Sequence, residues 1–252
     1  MNIILEYINY KLKAQGRHGT HSPFVYEFID ECLAIKLAAD IKNEFIDYYQ
    51  SLRKSDVLLK ISDFGAGSKK LGNERKVSDI VKVSGSGGKY GELLYRLSAH
   101  YKPKRILELG TSVGLGTWML AKGNSKAEIT TVEGCPNTYR LVRDQLLHLQ
   151  NINCVNSSFV DFLQTNHTQY DLVYIDGDHR GERVNEMLDL LAPTLHDETI
   201  VIIDDIRWSK DMLEYWKQFK DMERYHLTMD LFRMGIVMKR SHQQKEHFVI
   251  KY

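Results

Sequence analysis

From Tyr90 to the end of the chain, two apolar periods alternate. Short runs with strand character are "RILEL" (105–109), "EITTVE" (128–133), "INCVN" (152–156), "YDLVYID" (170–176) and "ETIVIIDD" (198–205). Between them lie stretches whose apolar residues recur every three or four positions: "TWMLAKG", "PNTYRLVRDQLLHLQ", "FVDFLQT", "RVNEMLDLLAPTL" and "DMLEYWKQFKDM". Such alternation predicts an α/β fold, a mostly parallel sheet with helices on both faces. "TIVII" reads as a central strand buried on both sides. The last two runs, "YHLTMDL" and "GIVMKR", predict an antiparallel hairpin closing one edge of the sheet.

The first part of the chain has a different pattern. Residues 1–60 read as a helical extension, with Phe24, Phe28, Cys32, Ile35 and Leu37 at helical spacing and Ser22-Pro23 as a helix start. Residues 61–90, "ISDFGAGSKKLGNERKVSDIVKVSGSGGKY", are rich in Gly, Ser and Lys and predict a connection or lid with a short helix inside it. "DFGAGS" resembles a nucleotide-binding turn, but Lys69, Lys70 and Gly72-Asn73 follow it where such a turn needs a helix N-terminus. Residues 91–252 carry the α/β pattern of the main domain.

Composition narrows the partners. At 252 residues, 43% hydrophobic and 27% charged, with a net charge of +1, the chain has no global field for nucleic acid or an anionic membrane. Its three cysteines, Cys32, Cys135 and Cys154, form no CxxC pair, which argues against zinc and fits a reducing cytoplasm. No run approaches the roughly 20 apolar residues of a membrane span.

The strongest local signal is "RILELGTSVGLGTWMLA" (105–121). Glu108 and Gly110 end a strand, and Gly114 and Gly116 precede a helix, so the backbone can turn sharply and approach a ligand. The spacing differs from the Gly-x-Gly-x-x-Gly of dinucleotide folds, and Thr111 and Ser112 add hydroxyls. Glu133 ends the next strand, where an acid can accept both hydroxyls of a ribose. "ELGTSVGLGT" followed by "TVEG" resembles the first two motifs of class I S-adenosylmethionine-dependent methyltransferases, over about residues 80–240. The resemblance implies a Rossmann-like, seven-stranded sheet. It sets Gly110–Gly114 against the methionine half of the cofactor, Glu133 on its ribose, Glu108 nearby, and Ser158 and Phe159 near adenine.

"VYIDGDHR" (173–180) packs two carboxylates and an imidazole into four positions at the end of a strand. Asp204-Asp205 end the following strand, so with Asp176 three carboxylates are expected at one edge. Acids brought together raise each other's pKa unless a cation, such as Mg²⁺, Ca²⁺ or Mn²⁺, relieves them. The set is similar to that of cation-dependent O-methyltransferases of the catechol and caffeoyl-CoA type, which implies Asp176, Asp204 and Asp205 as metal ligands. Two residues depart from that family: Asp205 stands where Asn is usual, and His179 stands where a Lys acts as base. His179 suits proton transfer near neutral pH, and Asp176 joins it as a catalytic and cofactor-side residue. The other reading leaves Asp178 and Asp204-Asp205 as capped turns.

The expected function is methyl transfer to a small-molecule hydroxyl, with Trp208, Trp216 and Tyr26 as potential walls for an aromatic acceptor. An RNA- or protein-directed methyltransferase without metal is the alternative. Neither nucleic acid nor a membrane is an expected partner, and a homodimer is an open expectation.

Overall fold

The computed structural model describes residues 1–19, 21–61 and 74–252. "DFGAGS", Lys69, Lys70 and Gly72-Asn73 lie outside the described residues. Among the described residues, the helices α1 (Ile3–Lys13), α2 (Pro23–Glu27), α3 (Ala39–Arg53) and α4 (Val77–Val83) and a small antiparallel pair, β1 (Leu58–Lys60) and β2 (Glu74–Lys76), come before the helix that leads into the main sheet. That sheet has eight strands: β3 (Arg105–Leu109), β4 (Glu128–Glu133), β5 (Ile152–Asn156), β6 (Tyr170–Ile175), β7 (Leu195–Ile203), β8 (Leu227–Asp230), β9 (Gly235–Met238) and β10 (Glu246–Val249).

Across the sheet the order is β5-β4-β3-β6-β7-β9-β8-β10. Every pairing is parallel except those of β9, which runs antiparallel to both β7 and β8. The seven expected strands are present, and β10 is one more. Its sequence, "EHFV", is too short for a periodic signal and only partly buried. It lies outside β8, so β10 rather than the hairpin forms that edge.

Side chains alternate between two cores. Ile106, Leu172, Tyr174, Ile200 and Ile202 face one layer, and Leu107, Leu109, Val173, Ile175, Val201 and Ile203 face the other. Helices α5 (Lys89–Tyr101), α6 (Leu115–Gly123) and α7 (Pro136–Leu146) supply residues to the first core. Helices α8 (Phe159–Thr165), α9 (Gly181–Leu191) and α10 (Lys210–Gln218) supply the second. Val25, Phe28, Cys32, Phe45 and Leu52 also belong to the first core, so the N-terminal helices pack on the sheet's own covering layer. Ile35, read from the sequence as part of that apolar face, is exposed.

Buried Arg96 on α5 ties the two ends of the chain to this layer. Its guanidinium donates to the carbonyls of Cys32 and Ile35 and to the hydroxyl of Tyr252. Hydrogen bonds to a charged donor are the stronger kind, and three of them here satisfy a side chain that burial would otherwise penalise.

The parallel register carries past the strand ends. Gly110 N–H donates to Val132 (2.9 Å), Asp176 N–H to Leu109 (2.8 Å) and Asp204 N–H to Ile175 (2.9 Å). Each bond ties the first residue beyond one strand to its neighbour, which aligns Glu133, Gly110, Asp176 and Asp204 along one carboxyl edge. Gly110 makes that alignment possible, with φ of +106° and so little room that an added Cβ would lie 2.3 Å from the Asp176 carbonyl oxygen. Gly110→Ala is expected to lower stability by about 2–5 kcal/mol through backbone strain and overpacking. Gly16→Ala, at a site with nothing within 4 Å of the new methyl, should change it by less than about 0.5 kcal/mol. Urea denaturation of the two variants checks this, and equal effects would refute it.

Candidate active site

The turn after β3 rests on a buried polar chain. Along β3, Leu107 and Leu109 face one core, so Glu108 between them must face the other. There its carboxylate accepts from Thr117 of α6 and from Thr131 of β4 (2.6 Å). Thr131 in turn bonds the Thr111 hydroxyl (2.6 Å). Glu108 and Thr111, both expected beside the cofactor, are joined here in one hydrogen-bonded chain that braces the loop. Burial pushes the Glu108 carboxyl up to about 7, against the pull of its two threonine donors and with a small push from Glu133.

Above this chain the loop is held from its outer side. Ser112 takes a left-handed conformation (φ 49°), and its N–H donates to Glu133 Oε2 at 3.0 Å. The other Glu133 oxygen accepts from Cys135 N–H (2.8 Å). Thus the acid ending β4 spans to the glycine turn after β3. Gly114 (φ +79°) packs under the Tyr48 hydroxyl of α3, which also donates to the Val113 carbonyl. Helix α3 of the N-terminal extension therefore touches the loop directly.

The two residues placed after β5 behave differently. Ser158 caps α8: its hydroxyl accepts from Asp161 N–H (3.1 Å) and donates to the Asp161 carboxylate (2.7 Å). Phe159 lays its ring against Gly177, where a Cβ would meet ring carbons at 2.6 and 2.7 Å. Phe159 therefore borders the same edge as Asp176, while the Ser158 hydroxyl is turned into its own helix.

Asp176, Asp204 and Asp205 converge as their strand positions require. The Tyr174 hydroxyl donates to Asp176 Oδ2 (3.0 Å), lies 3.4 Å from Asp204 Oδ2, and bonds the Ser86 hydroxyl (3.1 Å). His179 Nε2 stands 3.8 Å from both Asp176 Oδ1 and Asp205 Oδ2. Trp208, partly exposed, packs at the imidazole with ring centroids 5.8 Å apart. Burial, and then the charges of Asp204 and Asp205, push Asp176 well above the usual carboxylate range. Burial and Asp204 push Asp205 up to about 6, while Arg233 and His179 pull it down. The capped-turn readings do not describe these acids. Asp178 pairs with Arg180, the first N–H of α9 goes to Asp211, and Ser209 caps α10.

Arg233, in the turn between β8 and β9, was not anticipated. Its Nε donates to Asp204 Oδ1 (3.0 Å), and Nη2 reaches Asp204 Oδ2 (3.2 Å) and Asp205 Oδ1 (3.1 Å). Among the described residues, no group of three or more His, Cys, Asp or Glu is disposed to share a metal ion. The three acids expected as metal ligands do meet, but around a guanidinium. Of the aromatic walls, Trp208 lies at the site, Trp216 is buried with its indole N–H on Asp230, and Tyr26 stacks under Arg17. No helix among the described residues is long and apolar enough to cross a membrane.

The strand order, with one antiparallel strand beside β7 and an acid-and-glycine edge, is the Rossmann-like arrangement expected from the sequence. Residues 107–206 match the family described as "Methyltransferase domain", and that stretch holds every cofactor, metal and base residue read from the sequence. The match is one of similarity, over 100 of the 252 residues. The chain is 29% identical over 115 residues to O-methyltransferase hkm8 of Aspergillus hancockii, an alignment covering 42% of this chain and 46% of that protein. The chain thus spans less than half the length of that curated relative. Its fold is similar to the SAH-bound Podospora anserina methyltransferase PaMTH1 (TM-score 0.55, 15% identity, 81% of this chain and 97% of that one). It is also similar to an O-methyltransferase of Bacillus cereus in complex with SAH (TM-score 0.52, 17% identity, 85% and 97%).

The buried Glu108 yields a pH test. The folded chain holds a proton at about pH 7 that the unfolded chain, with an ordinary value of 4.5, has released. This favours the fold fully below pH 4.5 and is lost as pH rises through about 7. The stability of wild type relative to Glu108→Gln should therefore fall by up to about 3 kcal/mol between those limits. Urea titrations across that range check it; a constant difference would contradict it.

Proposed function

We propose that the chain transfers a methyl group from S-adenosylmethionine to a small-molecule hydroxyl at this carboxyl edge. The observation that carries the reading is Glu133, fixed by the Ser112 and Cys135 N–H groups where the acid ending β4 flanks the glycine turn. The residues fit the cofactor. Gly110 and Gly177 leave no space for a Cβ, so backbone itself lines the edge, and Phe159 supplies an aromatic face beside it. Glu133 would hold the ribose, Gly110–Gly114 the methionine half and Phe159 the adenine side.

When bound, the cofactor supplies an electrophilic methyl on sulfonium sulfur. The chain's part is to align the acceptor and take its proton, and alignment in a fixed crevice is a large share of such a barrier. His179 is the group for the proton. Its Nε2 stands 3.8 Å from a carboxyl oxygen of Asp176 and one of Asp205, which hold the ring at the edge. Trp208 beside it offers a flat apolar surface to an acceptor ring. The kinship with an O-methyltransferase supports oxygen as the acceptor atom. The acids do not fit a divalent ion as they stand, since their oxygens face Arg233, His179 and Tyr174. No step is therefore assigned to a metal.

Isothermal titration with S-adenosylhomocysteine tests the reading. Wild type should bind, and Glu133→Ala should weaken binding by about 10- to 100-fold, the loss of charge-assisted bonds to two hydroxyls. Absence of binding to wild type, or equal affinity in the variant, would overturn it.

A further inference from the structure

We propose that Arg233 is the built-in cation of this crevice, its guanidinium standing where cation-dependent relatives of this fold would place a divalent ion. The proposal rests on the methyltransferase reading above and concerns how the same site is charged.

Three carboxylates at adjoining strand ends need a counter-charge. Four of their six oxygens are bonded to Arg233 or Tyr174, and the other two stand 3.8 Å from His179 Nε2. Asp204 gives both oxygens to Arg233, through Nε (3.0 Å) and Nη2 (3.2 Å). Asp205 gives Oδ1 to Arg233 Nη2 (3.1 Å) and turns Oδ2 to His179 Nε2 (3.8 Å). Asp176 turns Oδ1 to the same imidazole nitrogen (3.8 Å) and accepts from the Tyr174 hydroxyl at Oδ2 (3.0 Å). A Mg²⁺ or Ca²⁺ ion would have to take several of these oxygens for itself, at about 2.0–2.6 Å, and so displace the arginine.

The arginine is built into place by the fold. Antiparallel pairing sets Gly235 opposite Ile203, and Ile206 N–H donates to the Arg233 carbonyl (3.0 Å), so the β8–β9 turn must lie over Asp204-Asp205. Gly85 then closes over the guanidinium: a Cβ there would sit 2.0 Å from its central carbon. Ser86, next in the chain, bonds Tyr174 and fixes this cover to β6. A planar, permanently charged fork bonded to one carboxylate at two points is a task for arginine rather than lysine. The side chain remains 27% exposed, so its charge also reaches the crevice.

The test uses the full chain after EDTA treatment, with Mg²⁺ or Mn²⁺ added back. Bound metal is counted after dialysis, melting temperature is followed, and S-adenosylhomocysteine affinity is measured with and without Mg²⁺. Wild type should retain no Mn²⁺, show no Mg²⁺-dependent shift, and keep its S-adenosylhomocysteine affinity within about twofold. Arg233→Ala, with its acids released, should gain about one Mn²⁺ per chain and a Mg²⁺-dependent rise in melting temperature. Stoichiometric Mn²⁺ on wild type, or a folded Arg233→Ala that gains none, would overturn the proposal. If that variant does not fold, the wild-type measurements decide alone. Failure of wild type to bind S-adenosylhomocysteine would sink the methyltransferase reading instead, and the metal count would still report on Arg233.

Discussion

The structure depends on the ladder that continues past the ends of its parallel strands. Three backbone bonds, Gly110 to Val132, Asp176 to Leu109 and Asp204 to Ile175, place the first residue after each strand beside the end of the next. Parallel strands aim their carboxyl ends the same way, so whatever side chains follow them must share one edge. Here those side chains are mostly acids. The fold thereby concentrates negative charge in a confined space, and much of the remaining site answers that concentration.

The charge is handled in two ways on either side of the glycine turn. Beneath it, Glu108 is shielded by hydroxyls and inclined to keep its proton. Beyond it, Asp204 and Asp205 stay beside a fixed guanidinium, and Asp176 and Asp205 share the edge of one imidazole. A hydroxyl-braced acid under the loop and an arginine-braced cluster beside it give this edge a polar floor and wall. Several non-glycine residues at this edge, Ser112, Asp178, Asp205 and Phe232, adopt positive φ. Such conformations cost energy and persist where surroundings hold them, as at sites built for a ligand.

Much of this was legible in the chain. The strand signals from "RILEL" to "GIVMKR" are periodic and bounded by turn residues, and each became a strand of one sheet. The glycine turn, Glu133 and the convergence of Asp176 with Asp204-Asp205 follow from strand order alone. The direction of Glu108 was available too, in the alternation of Leu107, Glu108 and Leu109, but a motif's usual role outweighed the two-residue period. Arg233 was hidden for another reason. Its turn lies 28 residues beyond Asp205 in sequence and reaches the acids only because β9 inserts between β7 and β8. "EHFV" was silent because a four-residue edge strand has no room for a pattern. Ser158 was read for its position after β5, while its local chemistry, a hydroxyl three residues before Asp161, favours a helix cap.

The central claim is that these strand ends form one cofactor crevice. A crystal structure grown with S-adenosylhomocysteine addresses it most directly. It should show the ribose hydroxyls on the Glu133 carboxylate, the homocysteine half between Gly110–Gly114 and Asp176, and the adenine against Phe159. Ligand density on another surface, or a ribose held by other groups and clear of the Glu133 carboxylate, would contradict it.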